Sequence, residues 1–223
     1  AYSIEAYPQL LLVLGAVVIV FASSLPDIRP QTKTTRKLAF LELFKLPGFA
    51  AVVTVSALIQ ASHGALYGIG TLHWLEAGIS ESIIGLLWAQ GVAAEVVLFA
   101  IGFWLLKKVG VKGLLWMAVI GGTIRWILLG WSTDVGLLFT VQILHAFTFA
   151  ATHLAMTQYI TQKVPDQLTA SAQTLYDALA LGALMGISMT LAGGLYGYIS
   201  GQVFWVMALI SIAAGLVLKR CKW

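Results

Sequence analysis

Ser82-Ile-Ile-Gly85-Leu-Leu-Trp88-Ala-Gln-Gly91-Val-Ala-Ala-Glu95-Val-Val-Leu-Phe99-Ala-Ile-Gly102-Phe-Trp-Leu-Leu106 is apolar throughout, apart from Ser82, Gln90 and Glu95. It has the roughly 20 residues that a helix needs to cross about 30 Å of hydrocarbon. Insertion scales charge about 2.5–3.5 kcal/mol for Arg, Lys or Asp at the centre of such a helix. A chain that needed only an anchor would carry Leu at position 95. Arg125 and His145 occupy equally apolar surroundings further along. Ionisable groups kept at that depth line a water-filled path, a proton relay or a ligand site.

The composition agrees. Of 223 residues, 60% are hydrophobic and 10% charged, and the mean hydropathy is +0.92. Soluble domains carry roughly 25% charged residues, so the solvent of this chain is lipid. The net charge of +4 does not point to nucleic acid, because the basic residues fall between apolar stretches. Cys221 is the only cysteine, which excludes an intrachain disulfide. The first apolar stretch starts close to Ala1, with no basic leader or small-residue cleavage site. No signal peptide is expected, and the chain reads as a piece of a longer polypeptide.

Seven stretches have spanning length: Tyr7–Leu25, Pro47–Leu75, Ser82–Leu106, Gly113–Leu129, Val135–Ile160, Ala170–Ile199 and Gln202–Leu218. In lipid each backbone N–H and C=O must be paired within its own segment, which leaves helices. Alternating strand patterns are absent, so a β-barrel is not expected. Arg29, Lys33, Arg36, Lys37 and Lys45 follow the first span, Lys107, Lys108 and Lys112 the third, Lys163 the fifth, and Lys219, Arg220 and Lys222 the last. The intervening loops hold Glu76, Glu81 and Asp134 and no Lys or Arg. By the positive-inside rule the N-terminus of this stretch lies outside and the C-terminus in the cytoplasm. The expected organisation is one helix (1–25), a cytoplasmic linker (26–46) with a short helix near Leu38–Phe44, and a six-helix bundle (47–223). On the sixth span Gly182, Gly186, Thr190, Gly193, Gly194 and Gly197 form a small-residue ridge, expected where helices approach closely.

Side chains able to carry chemistry share helical faces. Gly85, Ala89, Val92, Glu95, Phe99 and Gly102 follow a 3–4 spacing, which turns Glu95 towards other helices. A carboxylate there titrates in a range set by burial and any nearby cation, as a proton carrier requires. Arg125 stays charged and offers a planar fork of donors, fit to pair Glu95, a substrate carboxylate, or each in turn. Gln142, His145, Thr148 and Thr152 make a polar stripe on the fifth span, and His145 is suited to pass protons near neutral pH. Tyr67 sits among small residues and is expected to face a cavity; Asp177 is expected at a cytoplasmic vestibule. His63, His73 and His153 are weaker candidates. The alternative for each is structural: an ion pair, a headgroup contact or a hydrogen bond between helices. No metal-ligand cluster, Gly-x-Ser-x-Gly or phosphate loop is present. The last span has no Lys for a retinal Schiff base.

These residues resemble a known family. Gly85-Leu-Leu-Trp-Ala-Gln-Gly-Val-Ala-Ala-Glu95, Arg125-Trp126, Gln142-Ile-Leu-His145-Ala-Phe and Val203-Phe-Trp-Val-Met-Ala-Leu resemble the phenylpropionate permease family of the major facilitator superfamily. They are more distantly similar to its lactose permease branch. Lys108-Val-Gly110-Val-Lys112 looks like the superfamily's loop motif without the Gly and Asp that normally precede it. The resemblance implies an all-α membrane fold: the C-terminal six-helix half of a twelve-helix transporter, preceded by the last helix of the N-terminal half. It carries proton-coupling roles to Arg125 and His145. Where lactose permease has a Glu three residues after that His, this chain has Thr148, so Glu95 is the expected acidic partner.

The function expected is proton-coupled symport by alternating access in the inner (plasma) membrane. A proton gradient is the driving force, with no cofactor, and the partners are a small-molecule substrate, lipid and the missing N-terminal bundle. Glu95 loads a proton, Arg125 is released to hold the substrate, and deprotonation resets the pair. Arg125, Tyr67, Gln142, Thr148 and Asp177 are the expected substrate contacts. An aromatic carboxylic acid suits the Arg and the local Trp and Phe residues; nucleosides and sugars stay open, as does a membrane haem or electron-transfer subunit.

Overall fold

The computed structural model describes residues 6–25 and 39–221. The chain divides into two compact units, 1–35 and 36–223. In the first, α1 (Ala6–Ser23) is an apolar helix about 27 Å long at 1.5 Å per residue. The hydroxyls of Ser23 and Ser24 close its end by donating to the carbonyls of Val20 and Phe21.

In the second unit, four helical stretches are long and apolar enough to cross a membrane: Phe49–Glu76, Glu81–Trp131, Val135–Lys163 and Asp166–Arg220. Two of them double back. Gly110 breaks the second with φ 65° and ψ 179°, a conformation open essentially to glycine alone. Glu95 and Arg125 stand fifteen residues either side of it. In a straight helix they would lie about 45 Å apart, yet both reach His145. The fourth stretch turns at Ser200, φ 47°, and Ser188 Oγ meets Met207 Sδ across the turn. The elements are therefore α2 (Ala39–Leu43), α3 (Phe49–Glu76), α4 (81–109), α5 (111–131), α6 (Val135–Lys163), α7 (166–199) and α8 (Val203–Arg220). The chain is an all-α membrane protein, and α3 to α8 match the last six expected spans to within a few residues.

Short helix α2 lies where the linker was expected, but it belongs to the bundle. Leu43 is fully buried, and Phe44 meets the Phe49 ring edge-on at 5.7 Å. Packing thus begins before Pro47. Residues 26–38 of the expected linker lie outside the described residues.

The core is split by depth. One apolar cluster runs from Leu43 and Phe49 through Leu114 and Tyr159 to Leu218. The other holds Leu66, Trp74, Leu87, Trp126, Leu138 and Phe204. On α3 the first ends at Ile59 and the second starts at Ala65; on α5 they meet between Val119 and Trp126. The same gap falls between Leu87 and Leu98 on α4 and between Val141 and Ala146 on α6. Buried Gln60, Ser62, His63, Arg125, Gln142 and His145 fill it. A polar belt therefore crosses the bundle near the midpoint of its helices.

Glycines set the helix separations, though not the ridge expected. Gly186, Gly193, Gly194 and Gly197 have open space where a Cβ would go, so that face of α7 is turned away from this bundle. Close approaches occur elsewhere. A Cβ at Gly64 would strike the Ser188 backbone, and one at Gly122 would lie 2.9 Å from Ser211 Oγ. Backbones at such contacts come close enough for van der Waals packing, which drives helix association in lipid.

Candidate functional site

Arg125, on α5, is fully buried at the centre of the belt. Its Nη1 donates to His145 Nδ1 at 2.7 Å and to Thr148 Oγ1 at 3.0 Å, and its Nη2 donates to Gln142 Oε1 at 2.7 Å. Its Nε has no hydrogen-bond partner among the described residues. A guanidinium only donates, so Nδ1 of His145 must accept. The His145 proton then sits on Nε2, which lies 2.6 Å from Glu95 Oε1. The tautomer follows from the partners. Glu95 and Arg125 are joined through the imidazole, which corrects the expectation of a direct pair.

The chain of polar groups continues to α3. Thr148 Oγ1 lies 3.0 Å from His63 Nε2, and His63 Nδ1 lies 3.1 Å from the carbonyls of Ile59 and Gln60. Carbonyls only accept, so Nδ1 donates to them and Nε2 accepts the threonine proton. Gln142 Nε2 donates to the Leu87 carbonyl at 3.0 Å, which fixes its amide with the oxygen towards Arg125. With both imidazoles neutral, the network holds one carboxylate and one guanidinium, and its net charge is zero. An uncompensated charge at this depth would be costly.

Local sequence makes room for it. A Cβ at Gly91, one turn before Glu95, would lie 3.2 Å from His145 Cδ2, and one at Gly122 would lie 3.3 Å from Thr148 Cγ2. The helix widens to a π turn at Ala146–Ala151, straight after His145, and again at Leu66–Gly70, which carries Tyr67. Such turns often mark functional positions. Above the network, Trp126 Nε1 donates to Ser62 Oγ at 2.9 Å, and the Trp126 ring stacks on Phe204.

Of the residues singled out in the sequence, Glu95, Arg125, Gln142, His145 and Thr148 form one network, and Tyr67 adjoins it. The Tyr67 ring stacks on His63 and meets His145 edge-on at 6.3 Å. Asp177 is not brought in: it accepts from Gln173 on its own helix, at 3.1 and 3.3 Å. His153 lies between Phe99 and Tyr176, and His73 bonds Tyr196 near the far end of α3. The face that carries Glu95 is only partly turned inward, since Val92 and Phe99 are exposed. Glu95 itself is at the edge, with 16% of its side chain exposed against 7% for His145. Sequence reading missed Trp88 and the inward role of His63. Trp88 had a signal: it lies two helical turns before Glu95, on the same face.

Comparison with known proteins agrees with this geometry. The model of the MFS_1 like family matches residues 1–207. The "Probable 3-phenylpropionic acid transporter" of Escherichia coli (strain K12) is 36% identical over 211 residues, covering 92% of this chain and 55% of the relative. The "Uncharacterized transporter YwbF" of Bacillus subtilis (strain 168) is 24% identical over 209 residues, covering 92% of this chain and 52% of the relative. The chain thus spans about half the length of the curated relatives it matches. No solved structure matches it. A buried carboxylate–imidazole–guanidinium chain in a bundle of membrane-spanning helices sits well with a group of transporters. The chain belongs to the MFS_1 like family of the major facilitator superfamily, a family of membrane transporters and not of enzymes.

Proposed function

We propose that the full protein is a proton-coupled symporter of a small organic anion, best an aromatic carboxylic acid, working by alternating access in the inner membrane. Residues 1–25 are then the last helix of the N-terminal half, the stretch between them and α2 the cytoplasmic linker, and α2 to α8 the C-terminal bundle, whose partner is the missing N-terminal bundle. The basic loops put the N-terminus of this stretch outside and its C-terminus in the cytoplasm. The E. coli relative's name supports the substrate class.

One observation carries the mechanism: Glu95, His145 and Arg125 are linked in series at 2.6 and 2.7 Å, and Glu95 is the member at the open edge. Glu95 takes a proton from water when the site opens outward. Its charge is then gone, and Arg125 is left without a counter-ion inside a buried site. A substrate carboxylate supplies that charge. The buried site is neutral in two states, Glu95 ionised and empty, or Glu95 protonated and anion-loaded. Proton and anion therefore bind together. Loss of the proton on the cytoplasmic side restores the Glu95 charge and expels the anion. Rocking of two bundles about a midplane site exposes it to each side in turn.

Glu95→Gln in the full-length protein tests this. A permanently neutral side chain should retain substrate exchange across the membrane while losing accumulation driven by a proton gradient. Undiminished accumulation would rule out the mechanism. Uptake of a nucleoside or sugar in place of aromatic acids would contradict this coupling as well as the substrate, because a neutral solute brings no charge to Arg125.

A further inference from the structure

We infer that Trp88, backed by Tyr67, is the plate on which the substrate's ring lies, and that it sets the preference for a planar aromatic ring over a saturated one. This rests on the symporter reading of the neighbouring ion network. The two rings are stacked, with centroids 5.9 Å apart and planes 29° apart, and Tyr67 stacks in turn on His63 at 5.4 Å and 23°. Trp88 is held in place from two sides. Its Nε1 donates to Thr71 Oγ1 at 3.1 Å, and its ring packs on fully buried Trp74.

Tyr67 is stacked between His63 and Trp88, so the ring left to meet a ligand is Trp88; both remain half-buried. Small or polar residues flank them, Gly68 and Thr71 on α3 and Gly85 and Ala89 on α4, all exposed, with Val92 the large apolar neighbour one turn beyond Trp88. A Cβ at Gly85 would meet nothing within 4 Å. Before Leu72, α3 exposes no large apolar side chain, whereas Val96, Val97 and Phe103 on α4 are 61%, 61% and 71% exposed. A surface built for acyl chains looks like the latter. The Tyr67 hydroxyl has no hydrogen-bond partner among the described residues and is left to bond a ligand.

The plate adjoins the charged network. The Tyr67 ring centroid is 6.3 Å from that of His145, and Trp88 precedes Glu95 by two turns of α4. A ring stacked on Trp88, beside Tyr67, thus points a carboxylate on a short aliphatic tail towards the His145–Arg125 pair. Aromatic surfaces favour each other by offset stacking beyond simple area burial; a saturated ring offers the same area without that term.

The test compares 3-phenylpropionate with 3-cyclohexylpropionate, which share the carboxylate and tail. Full-length wild type, Trp88→Leu and Trp88→Phe are reconstituted in vesicles, and both acids compete for uptake. Wild type should favour the phenyl acid by about 3- to 10-fold. Trp88→Phe should keep most of that ratio, and Trp88→Leu should bring it close to one. An unchanged ratio in Trp88→Leu, or none in wild type, would overturn the inference. A second readout does not depend on Trp88 variants folding. In a full-length background with every cysteine replaced, Cys221 included, maleimide labelling of Gly85→Cys should be slowed by the phenyl acid more than by the cyclohexyl acid. Equal or absent protection overturns the plate. Selective protection without proton-driven uptake sinks the symporter reading and leaves the plate standing.

Discussion

At the scale of single residues, the two nitrogens of His145 do different work. Nδ1 accepts from Arg125 and Nε2 donates to Glu95. The ring is therefore the spacer that joins the carboxylate to the guanidinium. His145→Asn separates these roles. An amide oxygen takes over the acceptor at Nδ1, but the shorter side chain does not reach Glu95. Substrate exchange should persist in this variant, while proton-driven accumulation falls at least about 10-fold, the effect of about 1.4 kcal/mol. Matching initial rates of exchange and of gradient-driven uptake will show it. Unaltered accumulation would mean that Glu95 reaches Arg125 by another route.

Among the elements, α4 and α5 carry the most consequential geometry. Gly91 is the position on α4 that admits His145, because even a Cβ would stand 3.2 Å from its ring. Gly91→Val forces the imidazole off Glu95 or parts the helices. Overpacking of this kind costs about 1–3 kcal/mol. Uptake per folded molecule should fall at least as far as in His145→Asn, read as initial rate normalised to monodisperse protein. The Gly110 turn brings Glu95 and Arg125 to one depth. Gly110→Ala should cost about 1–3 kcal/mol of backbone strain, seen as a lower unfolding temperature in detergent, with network spacing retained. An unchanged temperature would show that the turn relaxes at no cost.

For the molecule as a whole, much of the organisation was legible, for physical reasons. Lipid demands apolar stretches of fixed length, so the six helices of the bundle stood out. The equal spacing of Glu95 and Arg125 about Gly110 gained its meaning only with the turn at that glycine. The order of contacts was hidden. Spacing shows which residues share a face, but not which face a neighbouring helix presents. Hence the imidazole between Glu95 and Arg125 was not foreseen, and Asp177 was grouped with a network it does not join. Gly186 and Gly193 were legible as small but not as outward-facing, since a ridge reads the same whether or not its partner belongs to this bundle. Linker and bundle were divided by composition at Pro47, yet one buried side chain, Leu43, draws α2 into the bundle.

The most direct measurement follows protons and substrate together. Full-length protein in lightly buffered vesicles, with no gradient imposed, receives 3-phenylpropionate while a pH electrode records the outside solution. Wild type should draw protons in with the anion and turn the medium alkaline. Glu95→Gln should move the anion in exchange without any alkaline shift. Alkalinisation of equal size in Glu95→Gln would contradict the coupling of acid, imidazole and guanidinium.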